Sequence, residues 1–136
     1  MSEWYMMIPL MVFTKIKQNF SQTIKDTYGM TDKNFSTVGS SGTPAVFPFV
    51  YFQTLPAIEQ GRDLQGTSVN GALFAFQIDV YSNKNQSEAR NVMSEIMRLM
   101  KTMAFEVNSM PSYESTQDVH RMTARFRRSF DKNDHL

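Results

Sequence analysis

The chain has 136 residues, a formal net charge of +1 and no cysteine, and 41% of its residues are hydrophobic and 20% charged. That size and composition predict one domain, 1–136, with a single core; they exclude a disulfide scaffold, a thiol nucleophile and cysteine-ligated zinc, and the charge balance argues against a dedicated nucleic-acid binder. No run of about 18 apolar residues is present, and the first nine residues carry an early acid, Glu3, without the basic segment of a secretory signal.

Phe13, Ile16, Phe20, Ile24 and Tyr28 recur every three or four residues and predict one helical face. Pro9 suits the first turn, with a Ser2 cap as the alternative start, and Gly29 suits a left-handed stop. Residues 30–46 are rich in Asn, Ser, Gly and Pro and read as a connection, pinned to the core by Phe35 and Val38. Residues 47–55 are aromatic and β-branched, which predicts a strand with Pro48 at its start or on an edge. Residues 56–71 read as a long polar loop, and loops over about 12 residues are usually functional or mobile. Beyond it Phe74, Phe76, Ile78 and Val80 alternate with Ala75, Gln77, Asp79 and Tyr81, the pattern of a strand with one face on the core. The two strands form an antiparallel hairpin with an oversized loop.

Residues 82–87 read as a turn that caps a second helix, with Glu88 in its first turn. Ala89, Val92, Met93, Ile96, Met100 and Met103 form its buried stripe, while Glu88, Asn91, Glu95, Arg98 and Thr102 face away. Met97 lies beside the stripe, within reach of a neighbouring subunit. Residues 105–107 read as a short strand ended at Met110-Pro111-Ser112. The last strand runs from about Val119 to Phe130, with His120, Met122, Ala124 and Phe126 on one face and Arg121, Thr123, Arg125 and Arg127 on the other. Residues 131–136 read as a frayed tail. The expected fold is α+β: a mostly antiparallel sheet of about four strands with two helices packed on one face, in the order α-β-β-α-β-β.

The residues offer no catalytic, cofactor or metal site. His135 falls in the tail, and His120 on an apolar strand face reads as a packed histidine rather than the base of a triad. Asp26 and Asp32 are not spaced as a calcium loop, and Glu95 followed by Arg98 reads as a solvated helix face. Residues 39–44, Gly-Ser-Ser-Gly-Thr-Pro, lack the lysine of a phosphate loop. Arg121, Arg125, Arg127 and Arg128 cluster with no acid between them. The cluster is either a positive surface for phosphate or an acidic protein or, as the preferred reading, the polar outer face of a half-buried sheet.

Phe47-Pro48-Phe49-Val50-Tyr51-Phe52, the long loop, Phe76-Gln77-Ile78-Asp79-Val80-Tyr81-Ser82-Asn83-Lys84, the helix-opening Ser87-Glu88-Ala89 and His120-Arg121-Met122-Thr123-Ala124-Arg125-Phe126 together resemble the tail terminator (tail completion or neck) proteins of long-tailed bacteriophages. The similarity covers roughly residues 10–130. It implies a structural virion protein rather than an enzyme, with no cofactor and no membrane partner. Such a protein forms a ring, commonly hexameric, on the head-proximal end of the tail tube. The ring ends tube polymerisation, docks head-completion (stopper) proteins and lets genomic DNA pass through its lumen. Assembly would take place in the bacterial host cytoplasm and the final station would be the virion neck.

On that resemblance the candidate subunit or tube contacts are Glu59, Gln60, Arg62, Asp63, Leu64 and Gln65 in the long loop and Arg121, Arg125 and Arg127 on the last strand. The arginines would face a protein partner or acidic residues of an adjacent copy, since a strongly basic lumen would hold DNA phosphate. The alternatives are a head-completion, other neck or minor tail protein, a small enzyme in which Asp79 and Glu106 converge, and a DNA-binding regulator using Arg125 and Arg127.

Overall fold

Helix α1 (Ile8–Asn19) begins with Pro9 in its first turn, where a missing N–H costs nothing, and it buries Ile8, Val12 and Ile16, spaced four apart on one face. The computed structural model describes residues 7–37, 46–55, 58–62, 69–116 and 119–131. The single helix expected across 13–28 is broken at Phe20, whose backbone is extended. A second helix, α2 (Gln22–Tyr28), restarts at Ser21, whose hydroxyl accepts the Ile24 N–H. In a capping box the third helical residue supplies a carboxylate to the cap's own N–H. Ile24 stands at that position here, and Glu95 reaches across from α3 (Gln86–Thr102) to accept the Ser21 N–H at 2.8 Å. The periodicity runs through the break because the group that stabilises the break is 74 residues away. Gly29 ends α2 at φ +66°, the left-handed position its place in the sequence predicts.

Among the described residues the sheet is mixed and six-stranded, where about four mostly antiparallel strands were expected, and it is accompanied by three α-helices rather than two. Strand β1 (Phe35–Ser36) pairs in parallel with β2 (Phe49–Thr54), which starts directly after Pro48. Strand β2 runs antiparallel along Phe76–Tyr81 of β4 (Val69–Ser82), while β3 (Ile58–Arg62) pairs along Val69–Leu73 of the same strand. Strand β6 (Val119–Asp131) lines the other side of β4, and β5 (Glu106–Thr116) forms the edge beyond it.

Each addition has a physical reason. Strand β1 is two residues long, too short for periodicity, and β3 falls within a polar, glycine-containing stretch. Strand β5 continues through Pro111 because it is an edge strand with register shifts between Val107 and Ser109 and between Ser109 and Ser112. Ser2, Val38, residues 39–44, Asp63, Leu64, Gln65 and the tail 132–136 with His135 lie outside the described residues.

The core lies on one sheet face. Val50 and Phe52, then Phe74 to Val80 at alternate positions, then Met122, Ala124, Phe126 and Phe130 meet the buried stripes of α1 and α3. Phe13 packs on Phe52, and Phe20 sits edge-on to Phe35, so α1 covers the β1–β2 edge. All six stripe residues expected on α3 are buried, and Met97 packs at the core's margin.

Glu88 and Glu95 do not face solvent as expected; they are 3% and 6% exposed. Glu95 is held by the Ser21 N–H and a two-pronged contact from Arg98 at 2.8 and 2.6 Å. Glu88 has a different cause. Asn85 caps α3 by accepting the Glu88 N–H, but the buried Ser82 hydroxyl accepts the Asn85 N–H that a capping-box glutamate would otherwise take. The Glu88 carboxyl is left against the core, and burial pushes it above the usual glutamate range, with Lys84 partly opposing.

The native state therefore holds this proton more tightly than the unfolded chain. Stability from this group is fully present below the ordinary glutamate pKa of about 4.3 and is lost as pH rises through the raised native value. Glu88→Gln is expected to be more stable than the parent at pH 7. Urea titrations at several pH values should show that difference vanishing below about pH 4.

Candidate functional site

Strand alternation that sends phenylalanines inward sends a polar row outward. Among the described residues no helix packs on this second sheet face, and it carries Tyr51 and Gln53 from β2, Gln77, Asp79 and Tyr81 from β4, and Arg121, Thr123, Arg125 and Arg127 from β6. Register sets the neighbours across strands: Tyr51, Asp79 and Thr123 form one rung, and Gln53, Gln77 and Arg125 the next.

Asp79 is the centre of this face and is 1% exposed. Its carboxylate accepts from Gln53 Nε2 and Thr123 Oγ1, each at 2.7 Å, from Arg121 Nη2 at 3.2 Å and from Gln77 Nε2 at 3.4 Å. These donors compensate the desolvation of a buried charge. Arg121 spans from Asp79 to Glu114 of β5, lies over the Tyr81 ring, and keeps a buried Nε without a hydrogen bond. Partial burial draws the guanidinium down, but Asp79 and Tyr81 outweigh it, so the net shift is upward. Burial raises the Tyr81 phenol, and Asp79 adds to that shift. The hub ties β2, β4, β5 and β6 together through one carboxylate and one guanidinium.

Arg125 donates to Gln77 Oε1 at 3.0 Å, and Arg127 to Glu106 Oε1 at 2.9 Å. The expected acidic neighbours of Arg121 and Arg127 are thus present within the chain itself. Arg128 belongs to the other face, where it donates to the Met103 carbonyl and stacks on Phe130. Arg121, Arg125 and Arg127 on the open face are matched by Asp79, Glu106 and Glu114. A DNA backbone is gripped by uncompensated cations, and among the described residues of this face Arg121 and Arg127 are already engaged by acids of the same chain.

The loop candidates divide. Glu59, Gln60 and Arg62 lie on β3, where Gln60 stands opposite Gly71 and Arg62 opposite Val69; Asp63, Leu64 and Gln65 are outside the described residues. Arg127 pairs with Ala75, close to where β3 joins β4, whereas Arg121 pairs with Tyr81 at the other end of that strand. The candidates therefore mark two ends of one surface rather than one pocket.

The enzyme alternative finds no convergence. Thr123 stands opposite Asp79, and Arg127 opposite Glu106, so about 13 Å of strand separates the two carboxylates. His120 Nδ1 meets the Tyr113 hydroxyl at 2.6 Å, and the two rings stack. Among the described residues no three His, Cys, Asp or Glu side chains cluster as metal ligands, and no helix is long and apolar enough to cross a membrane. A shallow groove between α2 and α3 is lined by Tyr28, Asn91 and the Glu95–Arg98 pair, whose carboxylate is already committed to the α2 cap.

Gln53, Tyr81 and Thr123 escaped the sequence reading. The available signal was a lone acid in the outward row of β4 facing an outward row of arginines. A scan against protein-family models and a search of curated proteins give no match for this chain.

Proposed function

We propose that the chain is a structural component of a long-tailed phage, a tail terminator that forms a ring where tail meets head. The observation that carries this reading is the sheet face on which no described helix packs, where Arg121 and Arg127 are ion-paired within the chain and Arg125 is hydrogen-bonded to Gln77, beside the β3–β4 hairpin. Paired charges and directional donors suit a protein partner, for which excess charge is not needed. The segments that carry the family resemblance also converge. Strands β2, β4 and β6 are neighbours in the sheet, and Ser87-Glu88-Ala89 opens the helix packed across them. Contacts between unlike patches that close on themselves give a ring.

The test is location. A tagged chain should be found by electron microscopy on the end of tails made without heads. Finding it instead on tail-less heads would make it a stopper, and finding it on neither would end the phage reading. Deleting Gln60 to Val69 is expected to leave a folded monomer, because the core residues Ala72, Phe74, Phe76, Ile78 and Val80 of β4 are all retained, and to abolish joining of tails to heads. Circular dichroism and particle counts check the two halves of that prediction.

A further inference from the structure

We infer that the outward face of α3 is a sequence-independent contact surface for the phosphate backbone of duplex DNA. The inference goes beyond the assembly reading and rests on how folding sorts the charges. Helices α1, α2 and α3 together carry six cations and three acids. Two of the acids, Glu88 and Glu95, are buried, and the third, Asp26, accepts from Gln22 Nε2 at 2.8 Å. None of the six cations is buried. A net charge of +1 counts both buried glutamates, so it understates the positive charge that this side of the molecule shows to solvent.

The excess is concentrated on one stripe. Ser87, Arg90, Ser94, Arg98 and Lys101 recur every three or four residues, all are exposed, and no acid interrupts them. From Arg90 to Lys101 the stripe covers about 16 Å of helix. Arg98 gives Nε and Nη2 to Glu95, which neutralises its charge. Arg90 and Lys101 meet no acid among the described residues, and neither does Lys15 of α1, which lines a small groove with Thr102 and Met103 at the end of α3. Three cations are therefore uncompensated here, whereas Arg121 and Arg127 on the open sheet face are matched by acids.

The groups beside the stripe are hydrogen-bond donors. In the groove between α2 and α3 the Tyr28 hydroxyl accepts from Asn91 Nδ2 at 2.8 Å, which leaves its own O–H to donate, and Ser94 lines the same groove. Glu95 also lines it, but its two oxygens are taken by Arg98 and the Ser21 N–H. Arginine and lysine with serine, asparagine and tyrosine are the side chains that hold phosphate oxygens without reading bases. An acidic protein fits less well. Protein interfaces are centred on apolar or aromatic anchors and are poor in lysine, and among the described residues the exposed large apolar side chains, Met7, Leu10, Met11 and Tyr113, all lie outside α3.

The test is fluorescence anisotropy of the whole chain with a short labelled duplex, from low to moderate salt. Two unrelated sequences should bind alike, and log K should fall against log salt with a slope of about −3, one for each uncompensated cation. Arg90→Ala with Lys101→Ala should weaken binding by about tenfold or more at low salt and bring the slope to about −1. These side chains are exposed, so circular dichroism should show the fold intact. Arg125→Ala with Arg127→Ala should leave affinity and slope unchanged. No binding at low salt overturns the inference. So does binding that the sheet-face pair weakens and the α3 pair does not. Polyglutamate that displaces the duplex as well as unlabelled DNA of equal charge overturns the assignment to DNA and makes the face a site for acidic protein. None of these outcomes bears on where the chain sits in a particle, which microscopy of headless tails decides separately.

Discussion

Asp79→Ala is expected to destabilise the fold by about 3 kcal/mol, read as a fall in the urea midpoint at pH 7. The carboxylate is 1% exposed and gathers Gln53, Gln77, Arg121 and Thr123 from three strands. Removing it leaves Arg121 beside Glu114 alone and frees the Thr123 hydroxyl and the Gln53 amide in a nearly dry site. Arg121 is 34% exposed and keeps one carboxylate, which holds the loss to the low end of what breaking a buried pair costs. Asp79→Asn keeps the shape but turns one acceptor into a donor facing other donors, and should lose about half as much. The contrast is Arg127→Ala. Its pair with Glu106 is solvent-exposed on both sides and should cost less than about 1 kcal/mol. A change of under about 0.5 kcal/mol for Asp79→Ala, the usual range of surface substitutions, would mean that the hub does not hold the strands together.

Phe76→Ala should cost about 4 kcal/mol, the range for truncating a buried phenylalanine. Phe76 is 0% exposed and lies between β2 and β6, opposite Thr54 and Phe126. Its ring is 4.8 Å from Phe52, 5.5 Å from Phe105 and 6.2 Å from Phe74. Phe74 and Phe105 both pack edge-on to Phe130, so one cluster ties the middle of the sheet to the segment just after α3. The cavity cannot close without moving several rings, which is why the cost exceeds the transfer energy of the lost atoms. Phe76→Leu should lose about half as much. Thermal unfolding of the two variants orders them, and an Ala variant as stable as the Leu variant would mean that the site collapses freely.

Regular elements with a repeating burial pattern were legible from residues alone. The stripe of α3, the alternation of β4 and β6, the stop at Gly29 and the start of β2 after Pro48 follow from side-chain periodicity and the φ preferences of glycine and proline. What escaped depends on groups distant in sequence. The break at Phe20 needs Glu95, and the burial of Glu88 needs Ser82 to take the hydrogen bond the glutamate would have made. The candidate site divides in the same way. Alternation places Arg121, Arg125 and Arg127 on one face, but the register that puts Asp79 opposite Thr123, and Glu106 opposite Arg127, comes from strand pairing. Asp79 points outward by parity and is nevertheless buried, because side chains from β2 and β6 close over it.

The borrowed cap of α2 makes the corner between the first two helices conditional. A peptide ending near Gly29 contains every residue of that corner except the glutamate that fixes it. During synthesis the corner cannot lock until the ribosome has delivered the third helix, so the amino-terminal segment stays free to straighten while the sheet is still being made.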